Sequence, residues 1–425
     1  MGASAIVTLA IGVIGAIGLF AICRPRSVLG SPPCPKLAPY QTPEKTSRTP
    51  RSKFTFRLRQ CPSTANDQAL RRLLSEFFPD IAPGDVCIRS LAKNVAPAGR
   101  DPGPNVATLT FKKLPLQIET EVQNRDKNEW AVCGTWKGKP CELILDMHFH
   151  GMTPLNDVGE RRHKFDCIAI SGLDSHPFGS WKSKRDEDTF MWLRDALPRL
   201  RPDMRTILYG YDTTLTESNS FKSIKDIAWS LIENLKCMKP KPLVVIAHSL
   251  GGIIFQEALV GLDKDEAAEQ VLLNYVRGGV FFGVPSKGME TDALRAMVDG
   301  EPTEQLLDDL SIESTYLNKL DDDFKSIASG EKMKLFWAYE TKTTPTVAVG
   351  QPEKYRRTDG YFERSGPHKV LVSRESATGG RYSPTGPRSA SNFPIDENHS
   401  DMVKFHNGDS NLDVVFNKLT QICNA

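Results

Sequence analysis

The residues with the clearest chemical potential lie in the run Leu243–Gly252, which reads LVVIAHSLGG in this 425-residue chain. Its apolar start predicts a short buried strand, and a helical pattern follows the serine at position 249. A nucleophilic serine in a strand–turn–helix needs small residues two positions before and two positions after it, which here are Ala247 and Gly251. The run therefore predicts a nucleophile, Ser249, with the Leu250 N–H as one oxyanion donor. An ordinary turn between a strand and a helix is the alternative interpretation.

The base that such a serine needs is predicted at His399. A serine hydroxyl becomes an effective nucleophile only beside a base, and a carboxylate must fix the tautomer of that base. The order of such residues along the chain is serine, acid, histidine, and His399 follows the last predicted strand and precedes the terminal helix. His368 and His406 fit that position less well, and His248 is expected to be structural.

The acid is predicted at Glu340, which ends the second predicted strand after the serine. A solvated glutamate at a strand end is the other interpretation of this residue. Glu375 and Asp396 remain alternative acids. Asp212 precedes the serine in the chain, and we expect it to connect loops.

Zinc chemistry is an alternative to serine chemistry, because His148 and His150 form a His-x-His pair at the end of a predicted strand. A metallohydrolase of that type also needs a lysine, an aspartate and two more histidines at later strand ends. The chain has eight histidines, and the later ones do not fall at such positions. We therefore expect no metal and no cofactor.

The elements that must position these residues alternate between strands and helices from Cys167 onward. Such alternation predicts right-handed crossovers and a mainly parallel sheet, with ligands bound beyond the carboxyl ends of the strands. The second oxyanion donor is expected in the loop after the strand Cys167–Ile170, at the Leu173 N–H. We predict an α/β-hydrolase domain over 141–425, with a long flexible loop within 341–398.

A smaller unit is predicted over 53–115, where strand, helix, strand and strand patterns follow one another. This β-α-β-β order indicates half of a ferredoxin-like sandwich, and 116–140 is predicted to be a connecting loop. RNA-recognition modules share the order, but Ala107–Phe111 lacks the exposed aromatic residues that stack on bases. We expect no nucleic-acid binding, which agrees with the near balance of 54 basic and 52 acidic residues.

The first 23 residues predict a transmembrane anchor, since Gly2–Cys23 carries no charge and ~20 helical residues span ~30 Å. Arg24 and Arg26 follow directly, which predicts that the body of the protein lies on the cytosolic or matrix-like side. A cleaved signal peptide is the alternative. Residues 24–52 predict a disordered, basic, Pro-rich linker. Nine cysteines without a C-x-x-C pair indicate a reducing compartment.

Several motifs resemble the fungal branch of the serine-active-site-containing proteins, lipase-like α/β-hydrolases related to GPI-inositol deacylases. The motifs are Ser171–Trp181, Met191–Pro198, Tyr209–Asp212, Ala247–Gly252, Phe281–Pro285 and His399–Met402. The sequence departs from that pattern at Val284–Gly288, where the family usually has Thr-Pro-His-Arg-Gly. It departs again at Ser171, where many hydrolases have a histidine.

The resemblance implies a membrane-anchored serine hydrolase of lipase or esterase type, in the mitochondrial or endoplasmic reticulum membrane. Its substrates would be lipids or other carboxylic esters, in phospholipid remodelling by a transacylase or in GPI-related deacylation. The alternative is a catalytically inactive interaction module with the same fold at a membrane. The sequence specifies no protein partner.

Overall fold

The computed structural model describes residues 54–95, 103–124, 127–185, 189–212, 214–215, 220–264, 270–295, 298, 300–328, 333–346, 366–381 and 391–425. The predicted anchor (1–23) and linker (24–52) lie outside these residues. Among the residues described, no helix combines the length and the apolar character that crossing a bilayer requires.

The first sheet has five antiparallel strands in the order β2-β3-β1-β5-β4. The strands are β1 (Phe56–Cys61), β2 (Val86–Lys93), β3 (Asn105–Phe111), β4 (Glu129–Trp136) and β5 (Lys139–Asp146). Helices α1 (Asp67–Phe77) and α2 (Leu116–Asn124) share one apolar core with this sheet. Asn66 caps α1 by accepting a hydrogen bond from Ala69 N–H.

The prediction of a loop over 116–140 was wrong, because α2 and β4 lie there. In β4 the buried Trp130 and Val132 alternate with exposed residues, and in α2 the buried Ile118 and Val122 are four residues apart. Strand β5, predicted to belong to the hydrolase domain, pairs with β1 in this small sheet. The order β2-β3-β1-β5 with two helices is that of a whole ferredoxin-like sandwich, and β4 is an added edge strand.

The second sheet has seven strands in the order β14-β11-β10-β9-β7-β8-β6. Six are parallel, and β6 pairs antiparallel with β8. The strands are β6 (Gly151–Pro154), β7 (Phe165–Ile170), β8 (Met204–Gly210), β9 (Leu243–His248), β10 (Val276–Phe282), β11 (Lys334–Glu340) and β14 (Asn392–Ile395). Every residue of the central strand β9 is buried, as expected for a parallel strand covered on both faces.

Helices cover the two faces of the large sheet with separate apolar cores. The helices described after α2 are Trp192–Asp195, Leu197–Leu200, Ile224–Lys236, Leu250–Lys264, Asp292–Arg295, Glu304–Asp309, Thr315–Ala328, Arg374–Ala377 and Ser410–Cys423. Short 3₁₀ turns lie at Pro83–Asp85, Gly179–Trp181 and Val271–Tyr275. Ser223 starts the helix Ile224–Lys236 with a capping box, bonded reciprocally to Asp226.

The segment predicted as one long loop, 341–398, contains regular structure in its described parts. A two-stranded ribbon pairs β12 (Thr344–Pro345) with β13 (His368–Lys369), and β14 joins the large sheet beside β11. The last strand of the large sheet along the chain is therefore β14. The loop prediction missed β14 because Pro, Ser and Gly dominate the composition around it.

Both edge strands of the large sheet are short and contain a proline. β6 and β14 have 4 residues each, and Pro154 and Pro394 lie within them. Proline has no N–H to donate to a neighbouring strand, so it is compatible with an edge and not with the centre of a sheet.

Candidate active site

Ser249 lies in a sharp turn between the central strand β9 and the helix Leu250–Lys264. Its φ of 52° is in the left-handed region that a residue with a side chain rarely adopts. The Ser249 N–H donates to Phe282 O at 2.9 Å, which ties the turn to β10. The strained turn aims the serine away from the sheet, as a nucleophile elbow requires.

The structure brings the three predicted residues together. Ser249 Oγ lies 3.0 Å from His399 Nε2, and His399 Nδ1 lies 2.9 Å from Glu340 Oε2. All three side chains are buried, with 4–5% of each residue exposed. Because the Glu340 carboxylate accepts the proton on Nδ1, Nε2 is left unprotonated and can accept the proton of Ser249.

Two further hydrogen bonds fix the Glu340 carboxylate and the loop that carries His399. Glu340 Oε1 accepts the Leu371 N–H at 2.9 Å, so both of its oxygens are engaged. The His399 N–H donates to Thr344 Oγ1 at 3.1 Å. Thr344 and Leu371 were missed by the sequence analysis, since an isolated threonine and a backbone N–H give no sequence signal.

The other candidate acids and bases have different surroundings. Glu375 and His368 are exposed, and exposed Asp396 accepts a hydrogen bond from Thr341. His406 contacts the carbonyl of the next residue, and Asp212 accepts the Thr214 N–H. The described contacts of these residues do not include Ser249.

The two predicted oxyanion donors come from adjacent segments. A Cβ placed on Gly172 would lie 2.8 Å from Ser249 Cβ, so the loop that carries Leu173 packs directly on the elbow. Within the described part of the chain, the N–H groups of Leu173 and Leu250 donate to no acceptor. Free N–H groups beside a nucleophile are what stabilisation of an oxyanion requires.

His248 has a positional role that the sequence did not reveal. Its Nε2–H donates to the carbonyl oxygen of His399 at 2.9 Å, and the two rings lie 4.9 Å apart. Burial, and then the neighbouring His399, lower the pKa of His248 to about 3. The ring is therefore neutral near pH 7 and supports the loop that carries His399.

An aliphatic cluster lies next to the oxyanion loop. Its buried members are Leu215, Val298 and Leu307, and the partly buried Leu173 and Leu294 pack against them. Except for Leu173, which sits in the oxyanion loop itself, these residues follow strands β8 and β10. The aliphatic cluster therefore lies near Ser249, on the side of Leu173.

The His-x-His pair lies in an ion-pair network outside this site. His148 Nε2 lies 3.0 Å from Glu129 Oε2, and His148 groups with Glu129 and Asp146 as possible metal ligands. Both carboxylates are already paired with arginines, Glu129 with Arg59, and Asp146 with Arg57 and Arg59. A cation there would have to displace these guanidinium groups, so the residues present do not fit a zinc site.

The strand order and the positions of these residues define an α/β-hydrolase fold. The serine follows the central strand, the acid ends the second strand after it, and the histidine follows the last strand. The predicted fold class is therefore confirmed for the large sheet.

The sequence comparisons find distant relatives. The sequence matches no family model. Over 202 residues it is 28% identical to "Protein SERAC1" of Mus musculus and 27% identical to "Protein SERAC1" of Homo sapiens. Each match covers 43% of this chain and 31% of the relative, so the chain spans about a third of the length of the curated relatives it matches.

Similar solved structures include lipase BlEst2 of Bacillus licheniformis in mature form, with 14% identity and a TM-score of 0.37. That match covers 64% of this chain and 97% of the lipase. Phospholipase PlaB of Legionella pneumophila is 13% identical with a TM-score of 0.36, over 50% of this chain and 44% of the phospholipase.

Proposed function

We propose that this protein is a serine hydrolase of lipase or esterase type that cleaves carboxylic esters, including lipid esters. The observation that carries the proposal is the continuous chain of two hydrogen bonds from Ser249 through His399 to Glu340. Ser249 must lose its hydroxyl proton when its oxygen attacks a carbonyl carbon, and His399 lies where it can accept that proton. The geometry therefore fits nucleophilic catalysis.

In the proposed first step, Ser249 Oγ attacks the carbonyl carbon of the ester while its proton passes to His399 Nε2. The negative charge on the carbonyl oxygen is stabilised by the Leu250 and Leu173 N–H groups. Collapse of this intermediate breaks the bond to the alcohol, which leaves with the proton from His399. The serine then carries the acyl group.

In the second step, water or another alcohol attacks the acyl group, and His399 takes and returns the proton. Water yields a carboxylic acid, and an alcohol yields a new ester. Phospholipid remodelling by transacylation and GPI-related deacylation are both versions of this scheme. The Glu340 carboxylate stabilises His399 whenever the histidine carries the additional proton.

The aliphatic cluster of Leu173, Leu215, Leu294, Val298 and Leu307 supports an apolar acyl group in the substrate. Its members lie beside the loop that contacts Ser249. We expect kcat/KM for p-nitrophenyl esters to rise from the acetate to the octanoate, because each added methylene can be buried there.

We further propose that residues 1–23 anchor the enzyme in a mitochondrial or endoplasmic reticulum membrane. The support is the uncharged apolar sequence of Gly2–Cys23. Extraction of membranes with alkaline carbonate should leave the full chain in the pellet and release a chain that lacks residues 1–23. Release of the full chain would contradict the anchor.

The experiment that tests the hydrolase proposal is labelling of the full chain with a fluorophosphonate, beside Ser249→Ala and His399→Ala. Labelling of the wild type that is lost in both variants is expected. If a folded wild type is not labelled, the hydrolase proposal fails, and a non-catalytic interaction module becomes the better account of the fold.

A further inference from the structure

The loop that carries the proposed oxyanion donor is bound from outside the large sheet. His176 lies in this loop, and its Nε2–H donates to the carbonyl oxygen of Met147 at 2.7 Å. His176 Nδ1 accepts the N–H groups of Phe178 and Gly179, at 3.1 and 2.9 Å. These partners require the neutral ring with its proton on Nε2.

Met147 directly follows β5, the strand of the small sheet that pairs with β1. The buried Arg57 of β1 donates its Nε to Asp146 at 2.9 Å. Its Nη1 reaches past the small sheet and donates to His150 O at 2.9 Å and to Thr153 Oγ1 of β6 at 2.8 Å. One guanidinium group thus binds the turn after β5 and an edge strand of the large sheet.

Phe149 completes the connection within that turn. Its N–H donates to Asp146 Oδ1 at 3.0 Å, and its φ of 56° makes the turn sharp. The ring is fully buried and contacts the rings of His176 and Phe178, with centroids 5.3 Å away in both cases. Polar and aromatic contacts therefore continue from the small sheet into the loop 171–181.

We propose that the small sheet is part of the active-site machinery, because it holds the oxyanion loop in place through the bond between Met147 O and His176. His176 is then a positioning residue, acting through the loop that carries Gly172 and Leu173. This inference rests on the proposed hydrolase function. It assigns to the small sheet a mechanical role in catalysis in place of a separate binding activity.

The physical reason is preorganisation. The oxyanion donors act only on charge that develops in the transition state, so a displaced loop lowers kcat and leaves substrate binding nearly unchanged. Loss of one complete oxyanion donor typically costs about 10²–10³ in kcat. Loosening the loop should cost less, about 10-fold or somewhat more.

Two substitutions at His176 separate its two sets of bonds. In His176→Asn, the amide oxygen can replace Nδ1, which keeps the bonds to Phe178 and Gly179 and loses Met147. In His176→Gln, the longer amide can replace Nε2–H, which keeps Met147 and loses the bonds within the loop. His176 is exposed, so neither variant should unfold the protein.

The experiment measures kcat and KM of the full-length variants on a soluble p-nitrophenyl ester. We expect kcat of His176→Asn to fall about 10-fold with KM within about 2-fold, and His176→Gln to retain most of the wild-type kcat. An Asn variant as active as the Gln variant, or more active, would overturn the proposal. The proposal would also be overturned if His176→Asn raised KM and left kcat unchanged.

A second readout needs no activity. Amide hydrogen exchange in peptides from 171–181 should become faster in His176→Asn. The matched control is Arg59→Met, because Arg59 pairs with Asp146 and Glu129 and makes no described bond to residues 147–153. Unchanged exchange in His176→Asn would overturn the inference even if the wild type is an active hydrolase. A wild type without activity would refute the proposed function, and the exchange comparison would still decide whether the small sheet holds the loop.

Discussion

In the small sheet, the buried charged side chains of Arg57 and Asp146 lie opposite each other on adjacent strands. In the large sheet, the buried Ser249, His399 and Glu340 lie at or after the carboxyl ends of three different strands and meet there. The first arrangement pairs a charge with its counter-charge. In the second arrangement, two hydrogen bonds connect the hydroxyl to the histidine and the histidine to the carboxylate.

The difference shows that burial of polar groups does not by itself indicate chemistry. The Arg57–Asp146 pair neutralises itself, so nothing in it needs to change charge. In the large sheet the chain ends at a hydroxyl proton, beside N–H groups that donate to no acceptor in the described residues. Function is indicated by a group that can react and by donors placed where charge would develop during the reaction.

The largest effect is expected from Glu340→Gln, which tests the catalytic side of the comparison. The amide would disfavour the reactive tautomer of His399 and could not stabilise its protonated form, so kcat should fall by about 10³–10⁴. Activity on a soluble ester measures it, with Ser249→Ala as the baseline. A similar loss in Glu375→Gln or Asp396→Asn would show that the acid is assigned wrongly.

A large effect on stability, and not on chemistry, is expected for the ion pair. Arg57→Met leaves Asp146 without its buried partner, which should cost about 3–5 kcal/mol in the free energy of unfolding. Urea denaturation measures this loss. Arg59→Met, at a partly exposed position of the same cluster, should cost only about 0–1 kcal/mol. Equal losses in the two variants would contradict the distinction.

A smaller effect is expected from adding a methyl group at Gly251, two residues after Ser249. A Cβ on Gly251 would lie 2.5 Å from Ser171 O, so Gly251→Ala must displace the oxyanion loop or the helix, at a cost of about 1–3 kcal/mol. Gly261→Ala in the same helix is the control, because its Cβ would meet only Ile232 at 3.4 Å. Fluorophosphonate labelling rates and melting temperatures of the two variants check the prediction.

The last prediction concerns the pH dependence of stability that His248 causes. Its folded-state pKa of about 3 lies below the ordinary value, so the unfolded chain binds a proton first as the pH falls. Stability from this group is complete above about pH 6.5 and is lost, by up to about 1.4 kcal/mol per pH unit, on acidification toward pH 3. In His248→Gln this slope should be shallower when unfolding is followed in urea at several pH values. An unchanged slope would assign the acid sensitivity to other groups.

The strand–turn–helix around Ser249 could be predicted from the sequence because its constraints are local. The turn needs small residues two positions before and after Ser249, and the following strands contain the apolar runs Val280–Phe282 in β10 and Leu335–Ala338 in β11. The positions of Glu340 and His399 followed from counting strands. The structure places both side chains in one hydrogen-bonded chain with Ser249, and their catalytic roles are proposals.

The remaining structure depends on contacts between distant residues. Strand β14 has only 4 residues in a Pro-rich context, and the partner that stabilises it, β11, lies more than 50 residues earlier. Strand β5 pairs with residues of β1 that lie more than 80 positions earlier in the chain. His176 and His248 bind carbonyl oxygens, and every residue has a carbonyl, so no motif marks the acceptor.

The edge strands have a further consequence, for behaviour at high protein concentration. An open sheet can add strands from another molecule along its free edges, which leads to aggregation. The two edges of the large sheet each offer 4 residues, one of them Pro154 in β6 and Pro394 in β14. A neighbouring chain would find few donors there, so the seven-stranded sheet is protected against growth from either side.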